Sequence, residues 1–373
     1  MNPDNSAAWL NARPGQLEVG PAPYPTPGPR QIVVRNAAVA INPVDWIVQT
    51  SRRPVYSWIK ERAVLGYDLA GEVVEIGSEV TRFSAGDRVL GLALGAEKDR
   101  NTPAEGAFQL YTTVADHMAS PIPDSMSFEQ GAVLPLGLST SACGLFQAKQ
   151  LGLRHPSAEP APAGETLLVW GGSTSVGTNA IQLAVAAGYE VITTCSPRND
   201  GLVRSLGASR SFDYHNRDVV TELVATLRGR QVAGAISLGT GSALPCLQVL
   251  SHCEGNRFLA QAAAPVSMAE VAGRPGRFPL FLLRFARAGA RTQLSGMTKR
   301  ISTKFIQGAS LANDEIGPAI YETFLPAALA EGRYSAAPEP RVVGHGLKSI
   351  QAALDAQRAG VSAQKLVVTL GDV

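Results

Sequence analysis

Charge is scarce in this chain of 373 residues: Asp, Glu, Lys and Arg make up 17% of it, against roughly a quarter in ordinary soluble domains. Acids and bases nearly cancel, leaving a net charge of +2. That excludes the broad basic footprint of a nucleic-acid-binding surface. Cysteine is scarce too. Cys143, Cys195, Cys246 and Cys253 lie scattered in apolar segments, with neither the density of a secreted disulfide scaffold nor the close pairs of a structural zinc knot. They read as reduced core residues; His252 beside Cys253 adds one ligand type, but no partner cluster accompanies it. No apolar run approaches the roughly 18 residues of a membrane span. "FPLFLLRFARAG" from Phe278 is broken by Arg284 and Arg287, and MNPDNSAAWL lacks the basic-then-apolar order of a signal peptide. The expectation is a soluble cytoplasmic protein, with no nucleic acid or membrane among its partners.

What is present is a hydrophobic content of 45% in a chain long enough for two domains of roughly 100 to 200 residues each. Prolines punctuate "PAPYPTPGPR", and alternation then marks strands at "QIVVRNAAVAIN", "LAGEVVEIG", "DRVLGLAL" and "GAFQLYTTV". This first part is β-rich and barrel-like. A helical stretch from Ser127 to Leu151 follows, then a loop, "RHPSAEPAPAGE". Beyond it, five strands ("TLLVWG", "EVITTCS", "SRSFDY", "AGAISLG", "RFLAQAA") alternate with four segments of helical period. Right-handed crossovers of this kind make a doubly wound parallel sheet, so the fold class is α/β. After about Ile306 come a helix through "AIYETFLPAALAEG" and a last strand, "KLVVTL", returning to the first domain. The expected division is 1–135 with 307–373 in one domain and 136–306 in the other.

The stretch "LLVWGGSTSVGTNAIQLA", from Leu167, reads as strand, tight turn and helix. Helix N-termini offer free backbone N–H groups and the positive end of a dipole, and in doubly wound sheets they hold dinucleotide phosphates. Gly171 and Gly172 permit the turn, Gly177 lets the helix approach the strand, and Ser173, Thr174, Ser175 and Val176 complete the loop. Thr174 stands where the common fingerprint has its middle glycine. Glycine turns also occur without ligands; the strand–helix units that follow are what favour a cofactor here. The second strand ends in Ser196, Arg198 and Asn199 with no acid to accept from a ribose hydroxyl, and Arg198 can pair with a 2′-phosphate. NADPH is therefore the expected cofactor.

"LGYDLAGEVVEIGSEVTRFSAGDRVLG", Leu65 to Gly91, resembles the signature of the medium-chain dehydrogenase/reductase superfamily, and "SFEQGAVLPLGLSTSA", "WGGSTSVG", "SFDY" and "VSAQKLVVTL" fall in its order. The resemblance covers nearly the whole chain and is closest to the zinc-independent enoyl reductases of fungal type and to quinone oxidoreductase-like proteins. It implies a GroES-like catalytic domain joined to a Rossmann domain. Where zinc-dependent members carry cysteine and the histidine of Gly-His-Glu, this chain has Asn42 and Tyr67-Asp68; neither asparagine nor tyrosine is a good zinc ligand, and the structural-zinc lobe is missing. No metal is expected. The implied reaction is hydride transfer from NADPH to a conjugated C=C bond, in an enone or a free or carrier-bound enoyl thioester. A quinone or carbonyl reductase, and a non-catalytic NADPH-binding partner protein, are the alternatives; the chain is expected as a monomer or homodimer.

The resemblance also implies site residues. Asn42, Pro43, Val44 and Asp45 of "INPVDW" line the nicotinamide half of the cofactor, unless they serve only as a turn. Tyr56 matches a tyrosine proposed as proton donor in some relatives, with a packed aromatic as the alternative. Tyr214 stacks near the adenine or ribose or merely ends a strand, and Lys365 reaches the cofactor or lies in solvent. Leu134, Ser139 and Thr140 face substrate, or the hydroxyls cap a helix. Phe281 and Phe285 line an acyl channel, near whose mouth Arg284, Arg287 and Arg291 meet a phosphate or an acidic carrier, or form a solvated face.

Overall fold

A computed structural model of the chain describes residues 3–51, 56–268 and 275–371. It divides into two units: Met1–Leu136 with Ile320–Val373, and Gly137–Ala319.

In the first unit, β1 (Asn5–Leu10), β2 (Leu17–Ala22) and β4 (Ala63–Val64) form a three-stranded sheet in the order β2-β1-β4. β3 (Gln31–Ala40), β5 (Asp68–Ile76), β6 (Arg88–Leu92), β7 (Tyr111–Ala115) and β8 (Ala119–Pro121) join a larger sheet. β3 pairs antiparallel with both β5 and β7, and its Ile32, Val33, Val34, Ala38, Val39 and Ala40 are fully buried. Such a run suits a central strand covered on both faces.

The second unit holds β9 (Thr166–Trp170), β10 (Glu190–Cys195), β11 (Arg210–Asp213), β12 (Gln231–Ser237), β13 (Glu254–Gly255), β14 (Phe258–Gln261) and β15 (Ser302–Phe305). The order is β11-β10-β9-β12-β14-β15, and every pair is parallel. The doubly wound Rossmann sheet expected from the strand–helix alternation is present. Leu168, Ile192, Leu223, Leu247 and Leu259 meet in its core.

The sequence reading did not mark β1, β2, β4, β8 or β13, and it also missed two strands that lie at sheet edges. β15, "STKF", closes the Rossmann sheet, and β16 (Glu339–His345) closes the first unit's sheet beside β17 (Gln364–Thr369). Each is exposed along most of its length, so neither needs the apolar alternation that marks a strand. The segment 307–319, expected with the first unit, belongs to the second. Its polar groups explain why: Gln147 Nε2 donates to Ser310 Oγ at 2.9 Å and to Asp314 Oδ2 at 2.6 Å. Among the described residues no helix is long and apolar enough to cross a membrane.

Candidate active site

β9 is the first strand of its sheet in sequence and lies between β10 and β12, so the strand order reverses at its carboxyl end. Ligands of open α/β sheets bind at such a switch point. The chain leaves β9 through Gly171, whose φ of +98° is open to glycine but strained for other residues. Gly177 opens the helix Ser175–Ala186 against this turn; a Cβ there would meet Gly171 O at 2.2 Å. One at Gly172 would meet Thr193 Oγ1, also at 2.2 Å.

Thr174, at the middle-glycine position, is the helix N-cap: its Oγ1 accepts from the Gly177 amide at 3.0 Å and donates to Gly171 O at 2.9 Å. Its hydroxyl is thus committed to the turn. The amides of Ser175 and Val176, first in the helix, are left without intrahelical acceptors. Ser175 Oγ is buried with no hydrogen-bond partner. The close packing of the turn that Gly171, Gly172 and Gly177 allow, together with the free amides of a helix N-terminus, fits a dinucleotide pyrophosphate. Asn199 Nδ2 donates to Ser173 Oγ at 3.1 Å and steadies the loop. Ser196 Oγ donates to Tyr214 Oη at 3.3 Å, linking the ends of β10 and β11. Arg198 is exposed, and Tyr214 is partly exposed and leans on His215 at 4.0 Å between ring centroids.

In the first unit, "INPVDW" starts the helix Pro43–Thr50, with Pro43 at its first position. Pro43 and Val44 turn outward, while Asn42 and Asp45 point into the protein. The Asn42 amide donates to Asp45 Oδ2 at 2.7 Å, and Asn42 Nδ2 donates to Asp68 Oδ2 at 2.8 Å. Lys365 on β17 donates to Asn42 Oδ1 and pairs with Asp68 Oδ2 at 2.9 Å. It is 4% exposed, which removes the solvated alternative for this lysine. Asp68 Oδ1 accepts from the Leu136 amide at 2.7 Å, at the start of the helix Pro135–Phe146, where a carboxylate also meets the positive end of the dipole. Burial pushes the Asp45 carboxyl up to about 8; the Asn42 amide and the Lys365 charge oppose that shift, and Asp68 adds to it.

Tyr67, just before β5, is buried, and its Oη donates to Glu97 Oε1 at 2.9 Å. Tyr56 rests edge-on against Trp58 at 5.3 Å, and its carbonyl accepts from Arg13 Nη2 at 2.9 Å. The neighbouring Arg52, Arg53, Pro54 and Val55 lie outside the described residues.

The remaining candidates are dispersed. Leu134 is fully buried, and Ser139 is buried four residues inside a helix that begins at Pro135, so it is no N-cap. Thr140 packs on Gly308, where a Cβ would meet its Oγ1 at 2.3 Å. Phe281 is buried between Phe278 and the partly exposed Phe285, with ring centroids 6.2 and 5.8 Å away. Arg284, Arg287 and Arg291 are exposed on the helix Phe278–Lys299. All four cysteines are buried, and burial pushes their thiols up. Among the described residues no group of three or more His, Cys, Asp or Glu side chains is arranged to hold a metal ion. The sequence reading missed Asp68, Tyr67 and Glu97 as site residues. Tyr67-Asp68 was visible only as a replacement for zinc ligands, and nothing local marks Glu97.

Residues 28–124 match the family described as "Alcohol dehydrogenase GroES-like domain". "Dehydrogenase pigH" of Monascus ruber is 47% identical over 99% of this chain and 100% of its own length. The chain belongs to the medium-chain dehydrogenase/reductase superfamily. "Trans-enoyl reductase himH" of Aspergillus japonicus is 37% identical over 98% of this chain and 97% of its own. Among solved structures, the CurK enoyl reductase superposes with a TM-score of 0.73 at 19% identity, covering 98% of this chain and 99% of that one, a likeness of fold. This superfamily member is an oxidoreductase whose fold implies a nicotinamide cofactor.

Proposed function

We propose that the protein is a zinc-independent reductase that uses NADPH to saturate a C=C bond conjugated to a carbonyl, in an enone or a free or carrier-bound enoyl thioester. The observation that carries this reading is the Asn42–Asp68–Lys365 cluster. Of the two positions where zinc-dependent members hold metal, Asn42 is spent here on Asp68 and a buried ammonium, and Tyr67 on Glu97. A site without a Lewis acid favours a carbon already made electrophilic by conjugation. NADPH, when bound, supplies the hydride.

The chain's own residues supply position. Gly171, Gly172 and Gly177 let strand, turn and helix pack closely, and the Ser175 and Val176 amides offer donors to the pyrophosphate. Ser196, Arg198 and Tyr214 lie at the ends of β10 and β11, where Asp200 and Asp213 are engaged by Arg204 and His215, and Arg198 is the group that supports selection of the 2′-phosphate. Pro43 and Val44, which turn outward and are backed by Asn42 and Asp45, would line the nicotinamide half of the cofactor. That himH is named a trans-enoyl reductase agrees with this reading.

Loss of NADPH absorbance with enoyl thioesters, enones, quinones and aldehydes, with and without a chelator, tests it. Turnover is expected with the conjugated alkenes and should not respond to the chelator. Turnover confined to quinones or aldehydes, or abolished by the chelator, would overturn the proposal.

A further inference from the structure

We propose that Tyr67 and Glu97 form a proton relay: the Tyr67 hydroxyl protonates the α-carbon of the reduced substrate, and Glu97 returns the proton from solvent. The proposal rests on the reductase reading above.

The geometry separates the two tyrosines near the 42–45 segment. Tyr67 has a carboxyl at its back, with Oη and Glu97 Oε1 2.9 Å apart. Tyr67 is 3% exposed, whereas Glu97 reaches partly into solvent, so the pair spans from the interior to water. The Glu97 loop is braced: Gly95 N–H donates to Glu105 O at 2.9 Å, Glu97 N–H to Leu94 O at 2.9 Å, and Trp58 Nε1 to Ala96 O at 3.0 Å. Among the described residues no carboxyl bonds to the Tyr56 hydroxyl, and Asp45 holds the Asn42 amide through Oδ2 while its Oδ1 is buried without a partner.

Once hydride has reached the β-carbon, the alkene electron pair lies on the carbonyl oxygen as an enolate. That pair returns to form a C–H bond at the α-carbon with the Tyr67 proton. The phenolate takes a proton from the Glu97 carboxyl, and the carboxylate takes one from water. Charge and atoms balance without a further reactant.

The ionisable groups facing Glu97 are Tyr67, Tyr56 and Asp99, and Asp45 faces both tyrosines. Burial raises the Glu97 carboxyl above the usual range, with Asp99 adding to the shift and the Tyr67 hydrogen bond opposing it. Burial, then Glu97, holds the Tyr67 phenol well above its ordinary value, hence neutral and able to donate at neutral pH.

The test compares Y67F, E97Q and Y56F with the wild type in enone reduction, alongside tyrosine 13Cζ resonances of the cofactor-free protein. Y67F keeps the ring and its packing; its kcat is expected to fall by about 10²-fold or more. E97Q is expected to lower kcat with KM for NADPH unchanged, and to remove the alkaline fall in rate caused by Glu97 deprotonation. In the cofactor-free wild type the Tyr67 resonance should report a Glu97 titration that E97Q abolishes. Wild-type kcat in Y67F, its loss in Y56F instead, or a Tyr67 resonance indifferent to E97Q would each overturn the relay. A wild type that reduces no activated alkene would overturn the reductase reading itself, and the relay with it; an active wild type with an indifferent Y67F overturns the relay alone.

Discussion

Asp45 shares its buried surroundings with one other carboxylate, Asp68, and a single ammonium, Lys365. Burial away from water, with the Asp68 charge adding to it, favours a proton on Asp45 and pushes its carboxyl up to about 8 against the opposing Asn42 amide and Lys365. An acid raised in the folded state stabilises folding fully below its unfolded value and loses that contribution as pH climbs to the folded one. Wild-type stability from this group should therefore decline between about pH 4 and pH 8. D45N keeps an acceptor for the Asn42 amide and is expected to flatten that decline, raising the melting temperature at pH 8 relative to wild type; equal pH slopes in the two proteins would count against it. The family resemblance made Asn42, Asp45 and Tyr56 candidates, the first two through the compact Asn-Pro-x-Asp segment. Local sequence left Glu97 unmarked, since the Tyr67–Glu97 bond joins residues 30 apart in sequence.

The turn from β9 into its helix was legible before any coordinates, down to the contact that Gly177 makes with the turn. What sequence pattern left open was the task of Thr174, which the structure shows capping the helix. G177V should abolish NADPH binding in calorimetry, because its side chain collides with backbone at Gly171 and Gly172 that cannot give way. T174A loses only a cap, so about 1 kcal/mol of stability should disappear in chemical denaturation while nucleotide binding persists. A T174A variant unable to bind would move that hydroxyl from the cap to the ligand. Edge strands mark the opposite limit. β15 and β16 carry little apolar signal because solvent covers one side of each, and only backbone pairing with a neighbour identifies them.

The chain crosses between its two units twice, at Leu136/Gly137 and Ala319/Ile320, and the Gly171–Gly177 turn belongs wholly to the second unit. A ligand that binds only the folded state at 100 times its dissociation constant adds about 2.7 kcal/mol of stability. NADPH is expected to raise the melting temperature of the wild type more than NADH does, and R198A to remove most of that difference. Equal shifts for the two nucleotides in the wild type would withdraw Arg198 as the selector. By itself the sequence determined the α/β class, the parallel sheet and the strand–turn–helix at Gly171–Gly177, because hydrophobic period and glycine placement are local properties. Only tertiary structure decided that Lys365 is buried against Asp68 and Asn42, that Glu97 backs Tyr67, and that 307–319 belongs with the second unit. Those outcomes depend on which distant groups meet away from water, where an unpaired charge or polar atom is too costly to leave alone.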